Sequence, residues 1–444
     1  MTDPTPDPQR DAPPAGPEPP GAPAPASGLR RFVPALLYEQ QFRRFWIGQT
    51  ISAFGDQITY LALPIVAVLV LKADAAQMGL LTAIGLLPHL LFSLPAGVWL
   101  DRVRERRRLM VMADIGRAAA LALVPVAFLL DALSIELLFA IAFVIGSLSL
   151  VFDLAWNIFF VAVARRDQYV QASSLLNGSR SMSSVGGPAL GGVLIQLLSA
   201  PITLVLDALS FLGSAFFLSR IRAREPAIDG DPGTVREQLR AGASFIARDQ
   251  IIRGVLLSVA TVNLFNYCFA ALFILYVTVN LGVEPGILGL ALGAAAVGSI
   301  VGAVIAGRVG RRIGIGRAYL VGLVLFPAPL ILLPFAEGQP PLLVLGVLFV
   351  MEFVSGLGVM ILDISAGAML LARTPDKIRG RSAGAFRFVN MGVRPIGAIL
   401  GGLLATAIGI REALFVVTIA QLGGLLWLIG SPILRLGDLP EAPE

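Results

Sequence analysis

Residues 78–130 read MGLLTAIGLLPHLLFSLPAGVWLDRVRERRRLMVMADIGRAAALALVPVAFLL. Two apolar runs, 78–100 and 109–130, flank a short arginine cluster from Arg102 to Arg108. A helix rising about 1.5 Å per residue needs roughly 20 apolar residues to cross a hydrocarbon core of about 30 Å. Each run is long enough, and the cluster between them is too polar to enter lipid. The stretch predicts a hairpin of two membrane-crossing helices with its arginines at one face.

The same reading, carried outward, places the first six spans near 45–71, 78–100, 109–130, 135–164, 170–198 and 202–219. Six more follow near 254–281, 287–307, 315–335, 342–371, 382–409 and 413–433. Five segments result. Residues 1–28, rich in Pro, Ala, Asp and Gly, form a disordered tail, because they carry too little apolar surface to offset ordering entropy. Residues 29–219 and 254–435 are two six-helix bundles. Residues 220–253 are a charged linker with an amphipathic helix from about Thr234, in which Leu239, Phe245 and Ile246 share a face along the membrane surface. A short tail, 436–444, ends the chain. The fold class is thus an all-α membrane protein of twelve transmembrane helices in two bundles.

Composition agrees. The chain is 56% hydrophobic and 14% charged, with a mean hydropathy of +0.81, a mix that would precipitate as a soluble fold. The one cysteine, Cys268, makes an internal disulfide impossible, and the one histidine, His89, cannot build a zinc site. No cofactor or metal is expected. The basic surplus lies in clusters between apolar runs and forms no stripe for nucleic acid. Lys72 and Lys377 are the only lysines, the codon bias of a GC-rich bacterium.

Charge also sets orientation. One set of connections holds Arg30, Arg31, Arg43, Arg44, Arg102 to Arg108, Arg165, Arg166, the linker arginines, Arg308 to Arg317, Arg373, Lys377, Arg379 and Arg381. The other holds Lys72 and Arg411 beside Asp74, Asp131, Glu136, Glu284, Glu337 and Glu412. Positive charge resists translocation, so both termini and the linker are expected in the cytoplasm, with the chain in the inner (plasma) membrane. Arg166, Arg180 and Pro188 recur as Arg373, Arg387 and Pro395, each 207 positions on, and Arg102-Val103 with Arg106 recurs as Arg308-Val309 with Arg312, 206 positions on. Both echoes point to a duplicated half.

The loop Gly97-Val-Trp-Leu-Asp101-Arg102-Val-Arg104-Glu105-Arg106-Arg107 resembles the major facilitator superfamily signature G-x-x-x-D-R-x-G-R-R/K-R/K, departing from it at Arg104 and Glu105. Gly186-Gly187-Pro188-Ala-Leu-Gly191-Gly192 resembles the antiporter signature of the same superfamily. Ser52-Ala-Phe-Gly55-Asp56, Asp114 with Arg117, Asp207 to Phe211 and Gly242 to Phe245 resemble the drug:proton exporter branch that includes macrolide-efflux and enterobactin-exporter-like proteins. The resemblance covers about 45–433. It implies two pseudo-symmetric bundles rocking about a central cavity, efflux of small amphipathic molecules by proton antiport, multidrug resistance, and action as a monomer. Physically, Gly97 permits close helix approach while Asp101, Arg102, Arg106 and Arg107, with Asp114 and Arg117, can form a latch of ion pairs. The glycines and Pro188 make a close-packed, bent seam.

Charges inside spans are costly and tend to line a pathway. Asp56, near the middle of the first span, is the first candidate for exchanging a proton as the cavity changes sides. Glu352, Asp153 and Asp363 are further proton-coupling candidates, with pairing to Arg180, Arg387 or Arg394 as the more common role of such groups. Arg180, Arg387, Arg394, Asn157, Asn263 and Asn266 are cavity or substrate candidates, with helix-to-helix bonding the more common use of such asparagines. Phe265, Tyr267, Phe269 and Tyr276 offer an aromatic wall. No Walker-type loop is present, so energy comes from an ion gradient, of protons or another cation, or from the substrate. The chain carries no nucleophile elbow and no His-Glu-x-x-His helix, which argues against an enzyme. An importer or uniporter of a polar metabolite, or a non-transporting receptor or scaffold, are the alternative readings.

Overall fold

The computed structural model describes residues 35–223 and 235–437, with the side chains at positions 35, 94, 98, 101, 102, 235–239, 241 and 377 outside that description. The tail expected over 1–28, residues 438–444, Arg30, Arg31, Arg224 and the side chains of Asp101, Arg102, Arg236, Leu239 and Lys377 lie outside the described residues.

The described chain is helical, without strands. The first half comprises α1 (Gln40–Ile65), α2 (Ala75–Arg102), α3 (Arg106–Leu129), α4 (Ile135–Val163), α5 (Tyr169–Leu198) and α6 (Ala200–Ser219). A shorter helix, α7 (Val235–Arg248), leads to α8 (Gln250–Leu275), α9 (Pro285–Ile313), α10 (Ile315–Leu325), α11 (Pro341–Arg373), α12 (Arg379–Ile408) and α13 (Ile410–Leu422). Several are extended by a π-helical or 3₁₀ turn, and twelve helical segments are long and apolar enough to cross a membrane. Local chemistry fixes their starts. Asp74 and Gln77 form a reciprocal capping box at α2, the Ser134 hydroxyl accepts the Leu137 amide at α4, and Asp249 accepts two amides at 3.0 Å at α8. The one-residue corner between α12 and α13 uses Gly409 at φ 96°, and its counterpart between α5 and α6 uses Ser199 at φ 75°.

The two halves repeat at a separation of 210. Gln40 and Gln250 open α1 and α8, the π-helical turns Val66–Val70 and Tyr276–Asn280 follow them, and α5 matches α12 from Tyr169 and Arg379 to Leu198 and Ile408. The sequence echoes at 207 and 206 are therefore displaced from the structural register by three and four residues. Such a displacement is about one helical turn, which keeps the echoed side chains on the same helix face. Asp153 and Asp363, in contrast, are true structural counterparts.

The core shows how the halves meet. At the face opposite the arginine-rich connections, one apolar cluster joins both halves through residues such as Leu61, Ile65, Leu138, Leu272, Tyr276 and Leu348. At the arginine-rich face the core splits in two. One part, around Phe42, Phe45, Met110 and Phe159, belongs to the first half; the other, around Val255, Tyr319, Leu362 and Met369, to the second. The halves are packed together at one face and separate at the other.

The linker helix is packed against the second half: Phe245 and Ile246 of α7 lie against Ile252, Leu256 and Ala385, and Gly242 lets α7 meet the Arg381 backbone. Its apolar side chains are thus covered in part by α8 and α12. The last described residues are docked too, since the Ile315 and Gly316 amides of α10 donate to the Gly437 and Leu436 carbonyls at 3.2 and 3.1 Å.

Candidate functional site

A cavity of about 350 Å³ lies where α1, α5, α8, α9 and α11 converge. That volume falls in the range of small-molecule pockets, about 300–1,000 Å³. Its wall includes Gln57, Tyr60, Pro188, Asn266, Phe269 and Phe273, and Glu352 is its one charged lining residue. Glycines bring the supporting helices together, with Gly298 of α9 set against the Phe353 backbone and Gly356 of α11 against the Ala295 backbone. Among the described residues the Glu352 carboxylate has no hydrogen-bond or ion-pair partner.

A smaller pocket of about 70 Å³ lies within the first half, lined by Asp56, Asp153, Arg117, Arg180, Gln49 and Trp156 among others. Asp56 stands beside Gly55, whose missing Cβ leaves room for the carboxylate of Asp207 and for Ser210. Asp207 is fully buried and accepts hydrogen bonds from the Thr59 hydroxyl and, at 2.7 Å, from the Ser210 hydroxyl. Asp207 is thus a satisfied structural carboxylate, and Asp56 is the one that opens to a pocket. Arg117 is ion-paired with Asp114, both buried, and its guanidinium lies between the rings of Phe152 and Phe211 at 4.4 and 4.2 Å. Arg180 rests on the Trp156 ring at 4.8 Å. Asp153 is within electrostatic reach of His89, Arg117, Arg180 and Arg387 without forming an ion pair among the described residues.

The remaining candidates scatter. Arg394 donates to the Tyr267 hydroxyl at 3.1 Å, and Asp363 is within its electrostatic reach without an ion pair. The expected pairing of Asp153 or Asp363 with Arg180, Arg387 or Arg394 is not made in this conformation. Asn157 and Asn263 donate back to their own helices, to the carbonyls of Asp153 at 2.7 Å and Val259 at 3.1 Å, so they do not make the expected helix-to-helix bonds. Only Asn266 of the three lines the cavity. Phe269 lines it too, Tyr267 supports Arg394, and Tyr276 is buried and donates to Glu337 at 3.0 Å.

At the proposed latch, no described atom of another helix stands within 4 Å of the point where a Cβ on Gly97 would lie, so the described residues show no close helix approach there. Arg106 is buried, and Arg107 donates to the Ser219 carbonyl at the end of α6 at 2.7 Å. The glycine seam divides its work. Gly186, Gly187 and Gly191 face Phe54, Gln57 and Ile58 of α1, whereas Gly192 faces Pro285 and Gly286 at the start of α9.

Sequence reading missed the partner crossing. Gly79 of α2 meets Ala398 and Gly402 of α12, just as Gly289 of α9 meets Pro188 and Gly192 of α5. Gly79 and Gly289, and Gly192 and Gly402, are each 210 positions apart, a signal legible only once the register is known. These two crossings hold the halves together at the closed face.

Comparison with known proteins places this geometry. A family model described as a transmembrane secretion effector matches residues 32–440. An uncharacterized MFS-type transporter, YfiS of Bacillus subtilis (strain 168), is 28% identical over 396 residues, covering 87% of this chain and 92% of that one. The multidrug efflux pump Tap of Mycolicibacterium fortuitum is 26% identical over 404 residues, covering 88% and 95%. Among solved structures, a bacterial homologue of the iron transporter ferroportin, in an inward-facing state, superposes with a TM-score of 0.73 at 18% identity, covering 89% of this chain and 99% of that one. A bacterial homologue of the lysosomal transporter Spinster gives 0.66 at 13% identity, covering 91% and 97%.

Proposed function

We propose that this chain, which belongs to the transmembrane secretion effector family of major facilitator transporters, is a secondary-active exporter of small amphipathic molecules driven by proton antiport. The observation that carries this reading is Glu352, an unpartnered carboxylate in the aromatic-lined cavity between two halves that are joined at one face only. A carboxylate without a partner inside a membrane span is costly to keep charged and is relieved by a proton or by a cationic group, so occupation by one disfavours the other. Asp56, open to its own pocket in the first half, is the second exchange point and the one the sequence singles out.

Positive charge marks the cytoplasmic side, so both termini face the cytoplasm of a bacterial cell and the cavity opens there. In the export cycle the glycine crossings at the outer face release while the arginine-rich ends of the halves approach, exposing the cavity outward. The outward direction is supported by the likeness to the Mycolicibacterium fortuitum relative, a multidrug efflux pump. A monomer holds the complete cavity.

Reconstitution in proteoliposomes with an imposed pH gradient, screened over antibiotics, dyes and siderophores, tests the proposal. Gradient-driven flux is expected for the native chain and should be abolished in Asp56→Asn and Glu352→Gln, with membrane insertion intact. Equal flux with and without the gradient would overturn proton coupling, and unchanged flux in both variants would remove the two carboxylates from it.

A further inference from the structure

The cavity that holds Glu352 has a neighbour. A second chamber of about 400 Å³ is lined by Asn177, Arg180, Ser181, Ile300 and Met360. Ser184, Ala296 and Ser299 line both, so the two chambers adjoin between α5, α9 and α11 and can be spanned by one elongated ligand. Among the described residues each end has a single charged lining residue, and the charges are opposite: Glu352 in one, Arg180 in the other.

The spacing follows from the helices. Pro188 of α5 and Glu352 of α11 border the first chamber; Arg180 and Met360, eight residues away on the same two helices, border the second. At 1.5 Å per residue the two ends lie about 12 Å apart along the helix axes. Between them the surface is small and weakly polar, made of the shared alanine and serines. Arg180 is held in place by the Trp156 ring, at 4.8 Å, and has no ion-pair partner among the described residues. It also borders the small pocket of Asp56 and Asp153, which keeps its charge from being wholly uncompensated.

We infer that the two adjoining chambers together bind a zwitterionic amphiphile, with an ammonium-type group at Glu352 and a carboxylate-type group at Arg180. The inference rests on the reading of the chain as a carrier of amphipathic molecules, and narrows it to a substrate class. A ligand with both charges pairs with both groups at once; a ligand with one charge pairs with only one and leaves the other without a partner. The planar guanidinium suits a carboxylate held through two parallel hydrogen bonds. The approximately 12 Å between the ends requires the two charges of the ligand to be separated by a chain or ring system rather than adjacent.

Binding is measured with the full chain in lipid nanodiscs, by equilibrium dialysis of three radiolabelled probes of equal length: a ten-carbon ω-amino fatty acid, decylammonium and decanoate, with empty discs subtracted. The amino acid should bind about tenfold more tightly than either singly charged probe. Glu352→Gln should weaken the amino acid and decylammonium about tenfold and leave decanoate unchanged; Arg180→Gln should weaken the amino acid and decanoate and leave decylammonium unchanged. An amino acid that binds no better than the stronger single-charge probe, or a Glu352→Gln variant that weakens decanoate as much as decylammonium, overturns the inference. Should either variant fail to fold, the ranking of the three probes on the native chain decides. Flux without this charge pattern would sink the inference and leave the exporter reading intact, whereas the pattern without flux would do the reverse.

Discussion

Replacing Gly79 by alanine perturbs the closed face at one point. The added Cβ would lie 2.5 Å from the Ala398 carbonyl oxygen, 2.9 Å from the Gly402 Cα and 3.1 Å from the Gly402 nitrogen. All three are backbone atoms of α12, which no rotamer change can move. Restoring an ordinary contact of about 3.5 Å requires α2 and α12 to part by roughly 1 Å at their crossing. Overpacking of this kind costs about 1–3 kcal/mol. The cost falls only on the conformation in which the helices touch, so the balance between closed and open forms of this face should shift by about 5- to 150-fold. Spin labels on Leu130 and Leu342, which are 72% and 82% exposed and lie at that face in different halves, report the change after Cys268→Ala. Double electron–electron resonance should show a longer distance gaining population. Gly346→Ala is the control, because nothing stands within 4 Å of its Cβ position. Identical distance distributions for the native chain and Gly79→Ala would refute the assignment of this crossing as part of the closure.

Gly55→Ala forces a Cβ into Ser210 and Asp207, with Ser210 Cβ only 2.8 Å away, and should lower stability by about 1–3 kcal/mol, read as a depressed thermal midpoint in detergent. Arg117→Gln strands the fully buried Asp114 and should cost about 3–5 kcal/mol. Adding Asp114→Asn should recover most of that loss, and a double variant no more stable than Arg117→Gln alone would mean the pair is not the source. Asp249→Ala removes both the cap of α8 and the 2.7 Å ion pair to Arg373, and should cost about 1–2 kcal/mol by chemical unfolding.

Twelve crossings, their approximate ends and the arginine asymmetry were legible in the sequence, because a lipid core imposes one requirement on every span: enough consecutive apolar residues to hide a helix. The signature loop and the glycine seam named the family for a related reason, since close helix contacts restrict residue choice wherever they occur. Asp56 and Glu352 stood out as charges in apolar runs. What the string of residues did not decide was partnership. Asp207 and Asp56 look alike in sequence, yet only Asp207 receives Thr59 and Ser210, because Gly55 and the crossing of α1 with α6 bring them together. The register of the repeat, 210 rather than 207, emerged only from aligned helix ends. That the chambers bordered by Glu352 and by Arg180 adjoin depends on three helices distant in sequence packing side by side. Hydrophobicity is a property each residue carries with it; a neighbour is assigned only when the helices pack.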